Sequence, residues 1–163
     1  MDKSKKNKSK RNVSPIVSDN RKARHDFFIE DKFEAGVALL GWEVKSARAG
    51  TVNLQDAYIY FKTADSSIEA FLRGAHFSPY TYGILSEQDT RRDRKLLLRI
   101  SEIQKIYTAV KTKGYTCVPT KIYFNNKGLV KVEIALARGK HKYDKKKAIK
   151  ERDIARETQR ELK

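Results

Sequence analysis

The sequence predicts a mostly β domain: five or six short antiparallel strands, two or three short helices, and a basic tail outside the core. Three observations predict it. Short runs of β-branched and aromatic residues are punctuated by turn residues, a single segment keeps a clear helical period, and the apolar residues crowd into positions 25–137. Charge divides the same way. Residues 1–24 carry 9 basic and 2 acidic side chains (net +7), residues 25–137 carry 16 and 13 (+3), and residues 138–163 carry 11 and 5 (+6). In a chain of 163 residues with 39% hydrophobic content, that partition predicts one domain over 25–137 between two cationic ends.

Residues 1–24, rich in Lys, Ser and Asn, are too polar to offset the entropy of ordering and are expected to form a disordered arm. From Asp26 the apolar residues Phe27, Phe28, Ile29 and Phe33 lead through Gly36 into Val37 to Leu40, which suggests a long strand bent at the glycine and closed by Trp42, the only tryptophan. One or two helical turns follow over Glu43 to Ala49, and Gly50 suits their left-handed stop. The runs Ala57 to Lys62 and Ile68 to Arg73 flank the turn-forming residues 63–67 and predict a hairpin. Residues Ser78 to Asp93 show neither period and are expected to form a long loop. Arg94 to Arg99, with three successive leucines, fits a buried strand. Ser101 with Gln104 suggests a capping box, and Ile103, Ile106, Tyr107 and Val110 then keep the helical spacing up to Gly114. Tyr115 to Phe124 and Leu129 to Ala137 enclose Asn125-Asn126-Lys127-Gly128, a second hairpin in which Pro119 implies an edge or a bulge. Such a set of strands is compatible with a closed or partly open barrel of the oligonucleotide-binding type, and also with a split α+β sheet.

Beyond Arg138 the apolar content collapses. On a helix, Arg152, Arg156 and Arg160 would form one row and Asp153, Glu157 and Glu161 the next, so like charges stack within each row. This predicts a marginal helix, largely unfolded when free, that a phosphate surface would favour by neutralising the arginines. Two strongly basic ends point first to nucleic acid as the partner. The lone Cys117 rules out an internal disulfide and suits a reducing compartment, and the sequence suggests neither a signal peptide nor a span, so a cytoplasmic protein without a membrane partner is expected. His25, His76 and His141 stand apart, no Cys pair exists, and no phosphate loop or nucleophile motif is present, so neither a metal, nor a cofactor, nor catalysis is expected.

Several motifs, in order, are those of a known family. Gly41-x-Glu43-Val44-Lys45-Ser46-x-Arg48, Asn53-Leu54-x-Asp56-x-Tyr58, Arg94-Lys95-Leu96-Leu97-Leu98, Gly114-Tyr115-Thr116 and Lys131-Val132-Glu133-Ile134 resemble the SsrA-binding proteins, or small protein B (SmpB), from about Asn20 to the C-terminus. The resemblance implies an oligonucleotide-binding (OB) antiparallel barrel that binds the tRNA-like domain of transfer-messenger RNA and delivers it to stalled bacterial ribosomes in trans-translation. It further implies that the tail, residues 138–163, occupies the empty mRNA channel and the small-subunit decoding centre and is helical there. By the same resemblance His25, Glu34, Leu97 and Lys131 face RNA, with Lys45 and Arg48 as neighbours; Asn53, the amide that stands with those two cations beside the strongest core run, is a further candidate contact. In the tail the resemblance points to Lys140, Tyr143, Asp144, Lys145 and Lys146, to which the cationic character of the tail helix adds Lys142, Lys150, Arg152, Arg156 and Arg160 as expected ribosome contacts.

The chain departs from the family pattern at Arg99, where a smaller polar residue or histidine is usual, at His141 for a lysine and at Lys146 for an arginine. Lys146 keeps the charge and loses the bidentate geometry. A monomer is expected when free. Two rival functions fit composition and fold: an RNA-modifying or RNA-cleaving enzyme that holds its substrate in such a barrel, and a ribosomal structural protein.

Overall fold

The structure, a computed structural model, describes residues 16–79 and 87–162. Its centre is one seven-stranded antiparallel sheet in the order β1-β8-β9-β2-β7-β5-β4. The strands are β1 (Ile16–Asp19), β2 (Phe27–Val37), β4 (Tyr58–Ala64), β5 (Ser67–Arg73), β7 (Arg94–Leu97), β8 (Thr116–Phe124) and β9 (Val130–Gly139), while β3 (Val52–Asn53) and β6 (His76–Phe77) pair separately. The sheet curls until β4, at one edge, lies against β8, second from the other, giving a partly open barrel of the expected kind. Helix α4 (Ile100–Lys113) touches β5, β8 and β9, so it bridges the inside of the curve and buries Ile106 and Ala109 there. Phe77, Leu72, Leu96, Ile122, Val132 and Ile134 complete the core around it.

Both hairpins form. β4 and β5 pair from Tyr58↔Arg73 to Ala64↔Ser67, so the connection tightens to Asp65 and Ser66, with Asp65 at φ 52°. In the second, Asn125 Oδ1 accepts from the backbone N–H of Lys127 (3.0 Å) and Leu129 (2.9 Å), and Gly128 takes φ 77°. Pro119 sits at a bulge, where the β8–β9 register shifts between Pro119 and Lys121. A second bulge, in β2 between Ile29 and Lys32, reverses the side to which the strand's odd residues point. Before it, Phe27 and Ile29 pack outside the sheet with Ala23, Val118 and Ala137; after it, Phe33 and Ala35 face the main core.

Four expectations are corrected. Residues 16–24 are not an unordered arm: β1 and helix α1 (Arg21–Asp26) are built onto the sheet, and residues 1–15 lie outside the described residues. The reason is Asn20, 4% exposed, whose Nδ2 donates to the carbonyls of Leu54 (3.0 Å) and Pro119 (2.9 Å) while its Oδ1 accepts from Ala23 N (3.1 Å). Trp42 closes no strand. It is half-buried on helix α2 (Gly41–Arg48), which begins where Glu43 caps the N–H of Leu40 at 2.7 Å. The leucine strand β7 is not uniformly buried, because it alternates: Arg94 and Leu96 point inward, Lys95 and Leu97 outward. Finally, α4 is capped not by Ser101 with Gln104 but by Glu102, which accepts from the Arg99 N–H at 3.1 Å. The expected loop over 78–93 contains the short helix α3 (Glu87–Thr90), and its residues 80–86 lie outside the described residues.

The tail, expected to be largely unfolded when free, is one continuous helix in this structure, α5 (Lys142–Glu161), started by Asp144 accepting from the His141 N–H at 3.3 Å. Every residue from Glu151 to Leu162 is exposed, so beyond its first turns the helix rests on local terms alone. Among the described residues no helix is long and apolar enough to cross a membrane.

Candidate nucleic-acid interface

The register of the sheet decides which expected residues meet. Across the outer face of four strands runs the row Tyr123, Lys131, Gly36, Leu97, each paired with the next. Gly36 offers no side chain, and Leu97 lies over the gap: a Cβ on Gly36 would stand 3.3 Å from that of Leu97. The result is a groove of about 310 Å³ floored by Gly36 and Val37 and walled by Val44, Leu97, Leu129 and Lys131. Leu97 and Leu129 remain 58% and 56% exposed and line the same groove, and it is this pairing of exposed apolar side chains that marks a contact surface rather than core. One register step along the face, Glu34 stands opposite Glu133 and accepts a hydrogen bond from the Tyr123 hydroxyl. Apolar walls, a cation and a carboxylate on a sheet face are what an unpaired nucleotide needs: a surface to stack on, a partner for its phosphate, and an acceptor for base N–H or 2′-hydroxyl donors.

Glu133 does not repel its neighbour Glu34 unopposed. It receives Lys32 (3.2 Å), Lys121 (3.3 Å) and the Thr120 hydroxyl (2.7 Å), and these hydrogen bonds outweigh its partial burial, holding its carboxyl below the ordinary range. A charge lattice therefore borders Glu34 on this face.

The other expected residues sit elsewhere. His25 is on α1, its Nδ1 2.9 Å from Asp26 Oδ1, the same oxygen that Lys145 of the tail reaches at 3.1 Å. The His25 bond first, and then Lys145, keep the Asp26 carboxyl below the usual carboxylate range. Lys140 donates its N–H to Asp26 O (2.8 Å) and its Nζ to Arg24 O (3.3 Å), and both Lys140 Nζ and Arg138 Cζ lie over the Phe28 ring, at 5.1 and 5.6 Å. The base of the tail is thus fastened beside His25. Lys45 and Arg48 are exposed on α2, the first next to Val44 of the groove in sequence and the second one turn beyond it, with Arg48 lining a separate cleft beside Ile16 and Phe124. Asn53 belongs to β3 and its Oδ1 is taken up by the Gln55 N–H at 2.8 Å. Along α5, Lys146, Lys150, Arg152, Arg156 and Arg160 are exposed and Asp144 and Lys145 half-buried; the side chains of Lys142 and Tyr143 lie outside the described residues.

Sequence reasoning passed over Leu129, Tyr123 and the buried group that carries α2. The alternation of Lys121 and Tyr123 with Ile122 and Phe124 marks the outward pair. The buried group has no local signal. Glu43, fully buried, accepts from Arg92 Nε (2.8 Å) and Nη2 (2.6 Å) and from Arg94 Nε (2.8 Å). Arg94, also fully buried, donates three further N–H groups to the carbonyls of Ala75, Arg92 and Thr90, each at 3.0 Å, and stacks 4.0 Å over Phe77. Burial pulls the Arg94 guanidinium below its ordinary range while the Glu43 charge resists that shift. This cluster ties α2 to β7 and so sets the groove's Val44 wall against Leu97. Cys117 is buried, and burial pushes its thiol up to about 12, which removes it as a nucleophile at neutral pH. No group of three or more potential metal ligands occurs among the described residues.

Comparison with known proteins agrees with this geometry. The SsrA-binding protein of Symbiobacterium thermophilum is 48% identical over 155 residues, 95% of each chain, and that of Pseudomonas fluorescens is 48% identical over 154 residues, 94% of this chain and 93% of the relative. A solved chain described as tmRNA-SmpB at the center of the bacterial ribosome superposes with a TM-score of 0.64 at 42% identity, covering 83% of this chain and 95% of that one. The SmpB protein family model matches residues 17–163, from the first strand of the barrel through the tail, and the chain belongs to that family.

Proposed function

We propose that this chain is the RNA-binding adaptor of trans-translation. Its barrel binds the tRNA-like domain of transfer-messenger RNA and brings it to bacterial ribosomes stalled without a stop codon, where the tail takes up the empty mRNA channel and the decoding centre. The observation that carries the reading is the outer-face groove, in which Leu97, Gly36 and Lys131 meet beside Glu34 although they come from three strands far apart in sequence. The family relatives named SsrA-binding proteins support the same partner.

The division of labour follows from charge and packing. The folded part carries the shaped surface that recognises a structured RNA; the tail carries exposed cations on a helix without a core-facing stripe. Within its arginine row like charges repel in water, and rRNA phosphates remove that cost, so the helix is partly populated in the free protein and fully formed on the ribosome. The adaptor acts in the cytoplasm as a monomer, holding RNA in place without chemistry of its own. Two measurements test it. Sequencing the RNA that copurifies with the protein should return one abundant tRNA-like species, and a mixture dominated by rRNA or mRNA fragments would refute the reading. Removing residues 138–163 should leave RNA binding nearly intact and abolish tagging of stalled peptides; joint loss of both would overturn the separation of roles.

A further inference from the structure

We propose that Tyr123 is a positioning residue of the RNA site, acting through Glu34: its hydroxyl aims that carboxylate at the RNA, and its ring forms the floor between Lys131 and Glu133. The proposal rests on the RNA-binding reading of the outer face given above. Tyr123 is on β8 and Glu34 on β2, with β9 between them, so the hydrogen bond spans two strand spacings, about 10 Å of sheet. The side chain covers that distance only by lying across β9. The register sets its path: Tyr123 pairs with Lys131, and Glu34 pairs with Glu133, so the ring runs diagonally between those two side chains. Lys121 approaches the same ring at 5.7 Å and also binds Glu133, so the tyrosine is engaged both at its ring and, through Glu34, at its hydroxyl.

The arrangement has a chemical consequence. A carboxylate on an exposed strand, opposite another carboxylate, would swing away to lessen repulsion. A hydroxyl donor fixed by a packed ring keeps one oxygen of Glu34 in place and leaves the other as a directed acceptor. Partial burial, reinforced by the Glu34 charge, raises the Tyr123 phenol above its ordinary range, so it remains a donor throughout the working pH range. Glu34 held this way selects N–H or 2′-hydroxyl donors of the RNA and rejects a phosphate that would approach by chance.

The test is a binding series with a transcript of the tRNA-like domain of transfer-messenger RNA. Tyr123→Phe keeps the ring and removes the hydroxyl; it should weaken binding roughly five- to tenfold with an unchanged melting temperature, as expected for loss of orientation at one charge-assisted hydrogen bond. Because no charge is removed, the slope of log affinity against log salt should stay that of the unsubstituted protein, whereas Lys131→Ala should reduce it by about one. In a Glu34→Gln background, where the carboxylate is already gone, Tyr123→Phe should cost less than twofold. Equal loss in both backgrounds, or no loss in either, would overturn the positioning role. If Glu34→Gln, Leu97→Ala and Lys131→Ala all bind as tightly as the unsubstituted protein, the RNA face itself is misplaced and the proposal falls with it.

Discussion

Replacing Glu43 with glutamine should destabilise the fold out of proportion to the loss of a single atom's charge. The carboxylate accepts four hydrogen bonds, two from Arg92, one from Arg94 and one from the Leu40 N–H, and is fully buried. A glutamine retains one acceptor oxygen and turns an amide N–H2 toward donors. Arg92, 32% exposed in its side chain, can rotate to water; Arg94, fully buried, cannot, and faces three carbonyl dipoles and a neutral amide in place of a carboxylate charge. Breaking one partner of a buried pair costs about 3–5 kcal/mol, a large share of the roughly 5–15 kcal/mol that holds a domain together. At this chain length each kcal/mol lowers the melting temperature by about 2–4 °C, so a fall of about 6–20 °C follows. Urea unfolding followed by the fluorescence of Trp42, the neighbouring residue, reads the change directly. Exchanging both members for apolar residues of similar size, Glu43→Leu with Arg94→Met, should recover part of the loss, since the two desolvation costs then vanish together. A Glu43→Gln protein melting within about 2 °C of the parent, or a double substitution worse than the single one, would refute the argument.

Asn20→Ala removes both anchors of the first helix and strands two backbone carbonyls, so urea titration should show a loss of about 2–3 kcal/mol, and α1 should exchange its amide hydrogens faster than β9 does. Asp19 is held below the ordinary carboxylate range, first by the hydrogen bond from Arg24; a lowered folded value contributes stability above the ordinary pKa near 3.8 that is lost as pH falls through the folded one. The melting temperature of Asp19→Asn should therefore fall short of the parent's near pH 6 and converge with it at strongly acid pH; a gap that persists there would contradict the assignment. Cys117 should resist Ellman's reagent at pH 8 in the native protein and react fully in denaturant, and rapid native labelling would show that its strand opens. Leu97→Ala should change stability by less than about 1 kcal/mol, because the side chain is 58% exposed, yet weaken RNA binding; a large stability loss without a binding defect would make it a core residue after all.

The periodic elements were legible in the chain because each is a local pattern. Asn125 to Gly128 encodes its turn within four residues, and Ile103, Ile106, Tyr107 and Val110 encode one helical face. The partition of charge into a weakly basic middle and two strongly basic ends is likewise a property of composition, and by itself it points to a polyanion. The family motifs supplied Glu34, Leu97 and Lys131 by position, without a reason for their meeting.

That reason belongs to tertiary structure. Gly36, Leu97 and Lys131 become neighbours only through the β7-β2-β9 register, and no short window of sequence carries a register between strands some 60 and 95 residues apart. The inward turn of Arg94 was equally hidden, since a charged residue enters a core only where a partner from elsewhere, here Glu43, compensates it. Polar composition made residues 16–24 read as unordered, yet a single asparagine donating to the backbone at positions 54 and 119 pins them to the barrel. Sequence alone thus determined the two hairpins, the late helix and the cationic extension; packing across the sheet decided the fate of residues 16–24 and which side chains share a face, because those choices are free energies summed over contacts distant in the chain.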